Sequence, residues 1–136
     1  WESGVGYHKV QPDISEMKRK GVEVIPIQGY HNLDKTFSVL GFRFGQIAYL
    51  TDMRCLEEGE LEKLKGLKAL TLNCVGRKLH HSHFCLDQAI ELAQRIGAEN
   101  TYLTHLAHAL GKHEEMEGSV PEGIQAAYDG LVIESN

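Results

Sequence analysis

No stretch of this sequence carries the roughly 20 consecutive apolar residues of a membrane-spanning helix, and its first residues show no signal-peptide pattern. No membrane association is expected. Positive charge is also in short supply: 14 Lys and Arg stand against 19 Asp and Glu, for a net charge of −5. No basic stripe with interleaved aromatics runs along the chain, which argues against nucleic-acid binding through bulk charge. Cysteine is scarce too. Cys55, Cys74 and Cys85 make no C-x-x-C pair and leave one thiol over in any disulfide scheme. That usage fits a reducing compartment, so a cytoplasmic location is expected. An initial Met is missing; Trp1 stands first, as expected of a fragment or a processed chain. There is no internal repeat and no composition shift that would mark a linker. The 136 residues, 42% of them hydrophobic, suffice for one ordinary domain with a real core, so residues 1–136 are read as a single domain.

The pattern of the chain is strands with interspersed helices. After Gly21, the β-branched run Val22–Gln28 (VEVIPIQ) predicts a strand, followed by a polar loop over Gly29–Lys35. In TFSVLGFRFGQIAYLTD, two β-rich runs flank Gly45-Gln46, a pair suited to a hairpin turn, and the second strand is expected to end at Asp52. EEGELEKLKGLKALTLN places a short charged helix before Gly66 and a buried strand at Ala69–Leu72. Leu86, Ala89, Ile90, Ala93 and Ile96 recur at helical spacing, with Gly97 as the stop. NTYLTH reads as a strand running into a His-rich loop. GIQAAYDGLVIE reads as two strands joined by Asp129-Gly130, a type I′ hairpin signal.

Eight histidines are present, and six of them fall between Leu79 and His113. Metal-assisted hydrolysis needs imidazole and carboxylate ligands converging from separate strand ends, where rigid elements fix geometry and loops leave a position open for water. His31, Asp52 and His105 have that placement, each following or closing a predicted strand. A carboxylate between two imidazoles suits zinc, manganese or iron, and an aspartate can bridge two ions. An Asp at a strand end also serves as a turn or cap residue. His80, His81 and His83 form HHSH, which contains an H-x-H, but Phe84 and Cys85 follow where a dinuclear H-x-H-x-D-H motif has Asp and His. Lying just before a helix, one of these imidazoles could face substrate as a general acid; the alternative is a solvated loop that caps the helix. His108 and His113 read as supporting or surface residues, and His8 has no assigned role. Cys85 is expected to be a buried structural thiol, and Asp129 to serve its turn alone.

At these residues the sequence resembles the metallo-β-lactamase-fold hydrolases, and within them the branch that contains the phosphoribosyl cyclic phosphate phosphodiesterase. The matching stretches are PIQGYH with His31, IAYLTD with Asp52, HSHFCLDQAI with His83, YLTHLAH with His105, and the ending VPEGIQAAYDGLVI. They cover nearly all of the chain from Val22 onward, in the order and separation found in that branch. The resemblance implies that His31 binds one metal, that Asp52 bridges two, that His105 binds the second, and that His83 protonates the leaving-group oxygen. It implies an α/β (α+β) chain forming the C-terminal half of an αββα sandwich, a mixed sheet with helices on one face. Members of the family carry H-x-H-x-D-H in the first half of the domain, and no such motif occurs here.

Two functions of different class follow. The first is a metal-dependent hydrolase acting on a small phosphodiester through metal-activated water, with two divalent ions, zinc or manganese, in the complete domain and one or none in this portion. The second is a non-catalytic half-fold serving as a dimerising or scaffold module. Either way, an apolar sheet face that packs on the other half in the family is expected to pair with itself or with that half.

Overall fold

The computed structural model describes residues 23–106, 115–116 and 118–134. Its elements are β1 (Val24–Tyr30), β2 (Ser38–Phe44), β3 (Ile47–Leu50), the short β4 (Cys55–Leu56), a 3-10 helix (Glu58–Leu64), β5 (Ala69–Asn73), α1 (Leu86–Ile96), β6 (Asn100–Thr104) and β7 (Ile124–Ala126). The strands form one seven-stranded sheet in the order β4-β1-β2-β3-β5-β6-β7. It is mixed, as expected. Pairing is antiparallel from β4 through β3 and parallel from β3 through β7. Because β1 and β3 both run antiparallel to β2, the carboxyl ends of β1, β3, β5 and β6 all reach the same edge of the sheet.

Strand alternation sends one set of side chains to each face. Ile27, Ala48, Leu50, Leu70, Leu72, Leu103, Ile124 and Ala126 share one face by register, and all are buried. Onto this face α1 lays Leu86, Ala89, Leu92, Ala93 and Ile96, joined by Leu64 and Leu67 from around the 3-10 helix. Each larger side chain buried in this way contributes about 1.5–3 kcal/mol relative to leaving it in water. α1 begins where the Gln88 side-chain oxygen accepts the Cys85 N–H at 3.1 Å. It ends at Gly97, whose φ of 73° lets its N–H reach the Ala93 carbonyl. Arg43 closes the 3-10 helix by donating to the Lys63 and Lys65 carbonyls at 2.8 and 2.6 Å, which supplies partners for carbonyls that a helix end leaves open.

The opposite face carries Leu40, Phe42, Phe44, Ile47, Tyr49 and Tyr102, with Phe44 and Tyr49 exposed at 38% and 45%. Among the described residues no helix lies on it, and none is long and apolar enough to cross a membrane.

Several boundaries differ from the sequence reading. β1 runs on through Gly29 and Tyr30 because both pair on two sides, with β2 and with β4. β4 itself was not foreseen, since two residues carry no periodicity. β3 stops at Leu50, which leaves Asp52 in the following loop. The hairpin expected at Asp129-Gly130 does not form: β7 pairs in parallel with β6, and the residues after Gly130 are not in a strand. Of the two turn residues only Gly130 has positive φ (88°), and the Leu131 N–H donates to the Tyr128 carbonyl. That is the φ pattern of a type II turn, which splays flanking segments apart, whereas type I′ needs positive φ at both positions.

Candidate metal centre

Four residues singled out from the sequence meet at the shared carboxyl edge. His31 directly follows β1, Asp52 lies in the loop after β3, His83 in the loop between β5 and α1, and His105 directly follows β6. Such edges are where loops from a sheet of this type gather to form sites. Asp52, His83 and His105 each offer a ligand atom, and these atoms lie within 4.8 Å of one another. Asp52 Oδ1 is 3.7 Å from His105 Nε2. The His83 ring centroid stands 4.5 Å from that of His105 and 4.9 Å from that of His31. His31 sits beside this trio through its backbone partner: His31 Nδ1 donates to the Asp52 carbonyl at 2.8 Å. A carbonyl can only accept, so Nδ1 is a protonated nitrogen and Nε2 is the one left to face a metal, the arrangement that prepares an imidazole as a ligand.

Two of these residues have left-handed backbones, Asp52 with φ of 56° and His105 with φ of 63°. A non-glycine residue held there is strained, and such strain gathers at functional sites. His83 bears the cost of burial. Its Nδ1 is buried without a hydrogen-bond partner among the described residues. Burial first, then the His105 and His31 imidazoles, pushes its pKa down to about 4, so the ring is neutral near pH 7.

His80 and His81 part company. His80 stacks on His83 at 5.2 Å, its Nδ1 accepts the Ser82 N–H, and its carbonyl accepts from Arg54 Nε at 2.8 Å; burial holds its pKa below the usual imidazole range. His81 is exposed and stacks on His80. Neither caps α1, whose N-cap is Cys85. Cys85 is buried, as expected, and burial pushes the Cys74 thiol up to about 12, so Cys74 is inert as a nucleophile. His8, His108 and His113 lie outside the described residues. The sequence reading passed over Asn73 and Arg54, which hold the loops. A carboxamide closing the fully buried five-residue strand ALTLN was the available signal for Asn73.

The donor set fits a divalent ion. Imidazole nitrogens with a carboxylate oxygen suit zinc and manganese, and an orphaned buried Nδ1 beside them is a polar atom in want of a partner.

Comparison with known proteins agrees with this geometry. A solved structure described as a new diphosphatase from the PhnP family is 38% identical, with a TM-score of 0.80 over 85% of this chain and 44% of that one. The metallo-β-lactamase fold protein YhfI from Bacillus subtilis superposes with a TM-score of 0.64 at 18% identity, covering 81% of this chain and 48% of the other, a likeness of fold. Octanoyltransferase of Porphyromonas gingivalis is 34% identical over 124 residues, which are 90% of this chain and 24% of that protein. The chain thus spans less than half the length of these relatives. Over that part the chain resembles the PhnP family; the model of the β-lactamase superfamily domain matches residues 3–106, and with the mixed sheet and its edge cluster this places the chain in that superfamily, with the metallo-β-lactamase fold.

Proposed function

We propose that this chain carries part of the active centre of a metal-dependent hydrolase that cleaves a small phosphodiester. The observation behind the reading is the convergence of Asp52, His83 and His105 within 4.8 Å at the carboxyl edge. A bound divalent ion, zinc or manganese, with a second ion in the complete domain, would supply charge to the phosphoryl oxygens and acidify a water. Asp52 and His105 hold that charge, and His31 offers Nε2 because its other nitrogen is tied to the Asp52 carbonyl. His83 delivers the proton to the leaving oxygen. Its ring is neutral near pH 7, and an anionic phosphodiester alongside raises its affinity for a proton, which suits a group that must be charged only when substrate is present.

The likeness to a diphosphatase supports a phosphate substrate, and a diphosphate belongs in the same assay as a cyclic phosphodiester. The octanoyltransferase name belongs to a protein of which this chain matches about a quarter, so an octanoyl thioester is the control substrate. Free Cys55, Cys74 and Cys85 fit a cytoplasmic setting. The apolar face of Phe42, Phe44 and Tyr49 is proposed to be covered by the complementary half of the sandwich or by a second copy.

The test is His83→Gln in the longest form of the protein. Loss of about 10²–10⁴-fold in kcat on the phosphodiester, with metal content unchanged, supports the acid. The 4.8 Å trio also favours a second reading, His83 as a third metal ligand, under which the same variant loses metal. Full activity in His83→Gln would contradict both.

A further inference from the structure

The side chain that ties the site loops together is Asn73. It ends β5 and is fully buried, where a carboxamide is costly unless its hydrogen bonds are made. Both bonds go to a single residue. Asn73 Oδ1 accepts the Met53 N–H at 3.0 Å, and Asn73 Nδ2 donates to the Met53 carbonyl at 2.8 Å. Met53 is the residue after Asp52. Its side chain is also buried, wedged over Gly29 and Gly41, so its backbone and side chain are both fixed.

The same Met53 carbonyl accepts a second hydrogen bond, from the N–H of Phe84 at 3.2 Å, and Phe84 follows His83. The next residue, Cys74, donates its N–H to the carbonyl of Thr104 at 2.9 Å, and Thr104 precedes His105. Asn73 and Cys74 therefore bind the chain one residue away from Asp52 and from His105 directly, and Met53, held by Asn73, in turn holds the residue after His83. Two of those three hold left-handed backbones, and something outside their own loops must keep them there. An apolar residue at position 73 would fill the space but leave the Met53 N–H without its acceptor and the Met53 carbonyl with the Phe84 N–H alone.

We propose that Asn73 is a positioning residue of the metal centre: by clamping both polar groups of Met53 it sets the approach of Asp52 to His83 and His105. This rests on the metal reading above. Its effect belongs to the class of hydrogen bonds that orient ligands from behind, whose loss weakens metal binding by about 10–100-fold.

The experiment is Co²⁺ binding to the chain, followed by visible absorption, in the parent, Asn73→Leu, Asn73→Asp and, as a control, Leu67→Ala. Leu67 is a buried core residue just before β5 and touches the fold without touching the site. Each protein is titrated where circular dichroism shows it folded, and Asn73→Ala replaces the leucine variant should that one not fold. Asn73→Leu is expected to weaken Co²⁺ binding about 10-fold or more and to alter the d–d spectrum. Asn73→Asp keeps the acceptor for the Met53 N–H and recovers part of the affinity, and Leu67→Ala matches the parent in both readouts although it is less stable. Parent-like affinity and spectrum in Asn73→Leu would overturn this inference alone. An equal loss in Leu67→Ala would assign the effect to general destabilisation and overturn it too. No Co²⁺ uptake by the parent would overturn the metal reading, and this inference with it.

Discussion

Asp52 does two things that conflict: it offers a carboxylate to the cluster, and it holds a φ of 56° that glycine tolerates better than any other residue. Removing the carboxylate therefore has opposite consequences for binding and for backbone strain. Asp52→Gly is expected to be more stable than Asp52→Ala by about 1 kcal/mol, with metal binding lost in both; urea unfolding of the two metal-free variants checks this. His83 makes a second prediction. Its folded pKa of about 4 lies below the ~6.5 of an unfolded histidine, so between those values the unfolded chain binds the proton and the folded chain does not. Stability of the metal-free protein should be fully present above pH ~6.5 and be lost progressively as pH falls toward 4. His83→Gln should lose less over that window, as denaturant midpoints at pH 7 and pH 5 would show. A midpoint equally pH-dependent in both proteins would count against the buried neutral imidazole. At this scale the sequence was informative about which residues meet, because His31, Asp52 and His105 each follow an apolar run that had to be a strand. It said little about roles, since the same convergence serves a ligand and an acid, and it hid Asn73, whose two partners are main-chain groups.

The elements were legible wherever burial imposes a period. α1 announced itself by apolar residues at helical spacing and by Gly97, and β2 and β3 by Gly45-Gln46 between β-rich runs, the Gly at φ of 57°. Where tertiary pairing decides, the sequence was ambiguous. β4 exists because Cys55 and Leu56 lie against Tyr30 and Gly29, and β7 found a parallel partner in β6 instead of the antiparallel one that Asp129-Gly130 suggested. Close packing also fixes β2 on β3 beneath the site. A Cβ at Gly41 would meet the Leu50 side chain and come within 2.9 Å of the Tyr49 carbonyl, a backbone atom that cannot move aside alone. Gly41→Ala should destabilise the fold by about 1–3 kcal/mol, read as a lower urea midpoint with an unchanged slope. An unaltered midpoint would mean that the β2–β3 hairpin yields more easily than its register implies.

The molecule as a whole presents a sheet with one face closed by α1 and the 3-10 helix and another that carries Phe42, Phe44 and Tyr49 without a helix over it among the described residues. The mixed sheet with helices on one face was expected from the resemblance to the metallo-β-lactamase-fold hydrolases, because alternation within β2 and β3 marks two faces without saying which of them a helix covers. Which residues cover the second face was not legible, because a half-exposed aromatic reads the same whether its partner is another layer or another copy. The cluster poses the same question in chemical form: whether ligands from this sheet alone suffice to hold an ion. The most direct measurement is metal content per chain by elemental analysis of untagged protein purified without added metal, beside Asp52→Ala and His105→Ala. The account predicts zinc or manganese in the parent chain and its loss in both variants; a parent chain free of metal, or variants that keep it, would contradict the assignment of this edge as a metal centre.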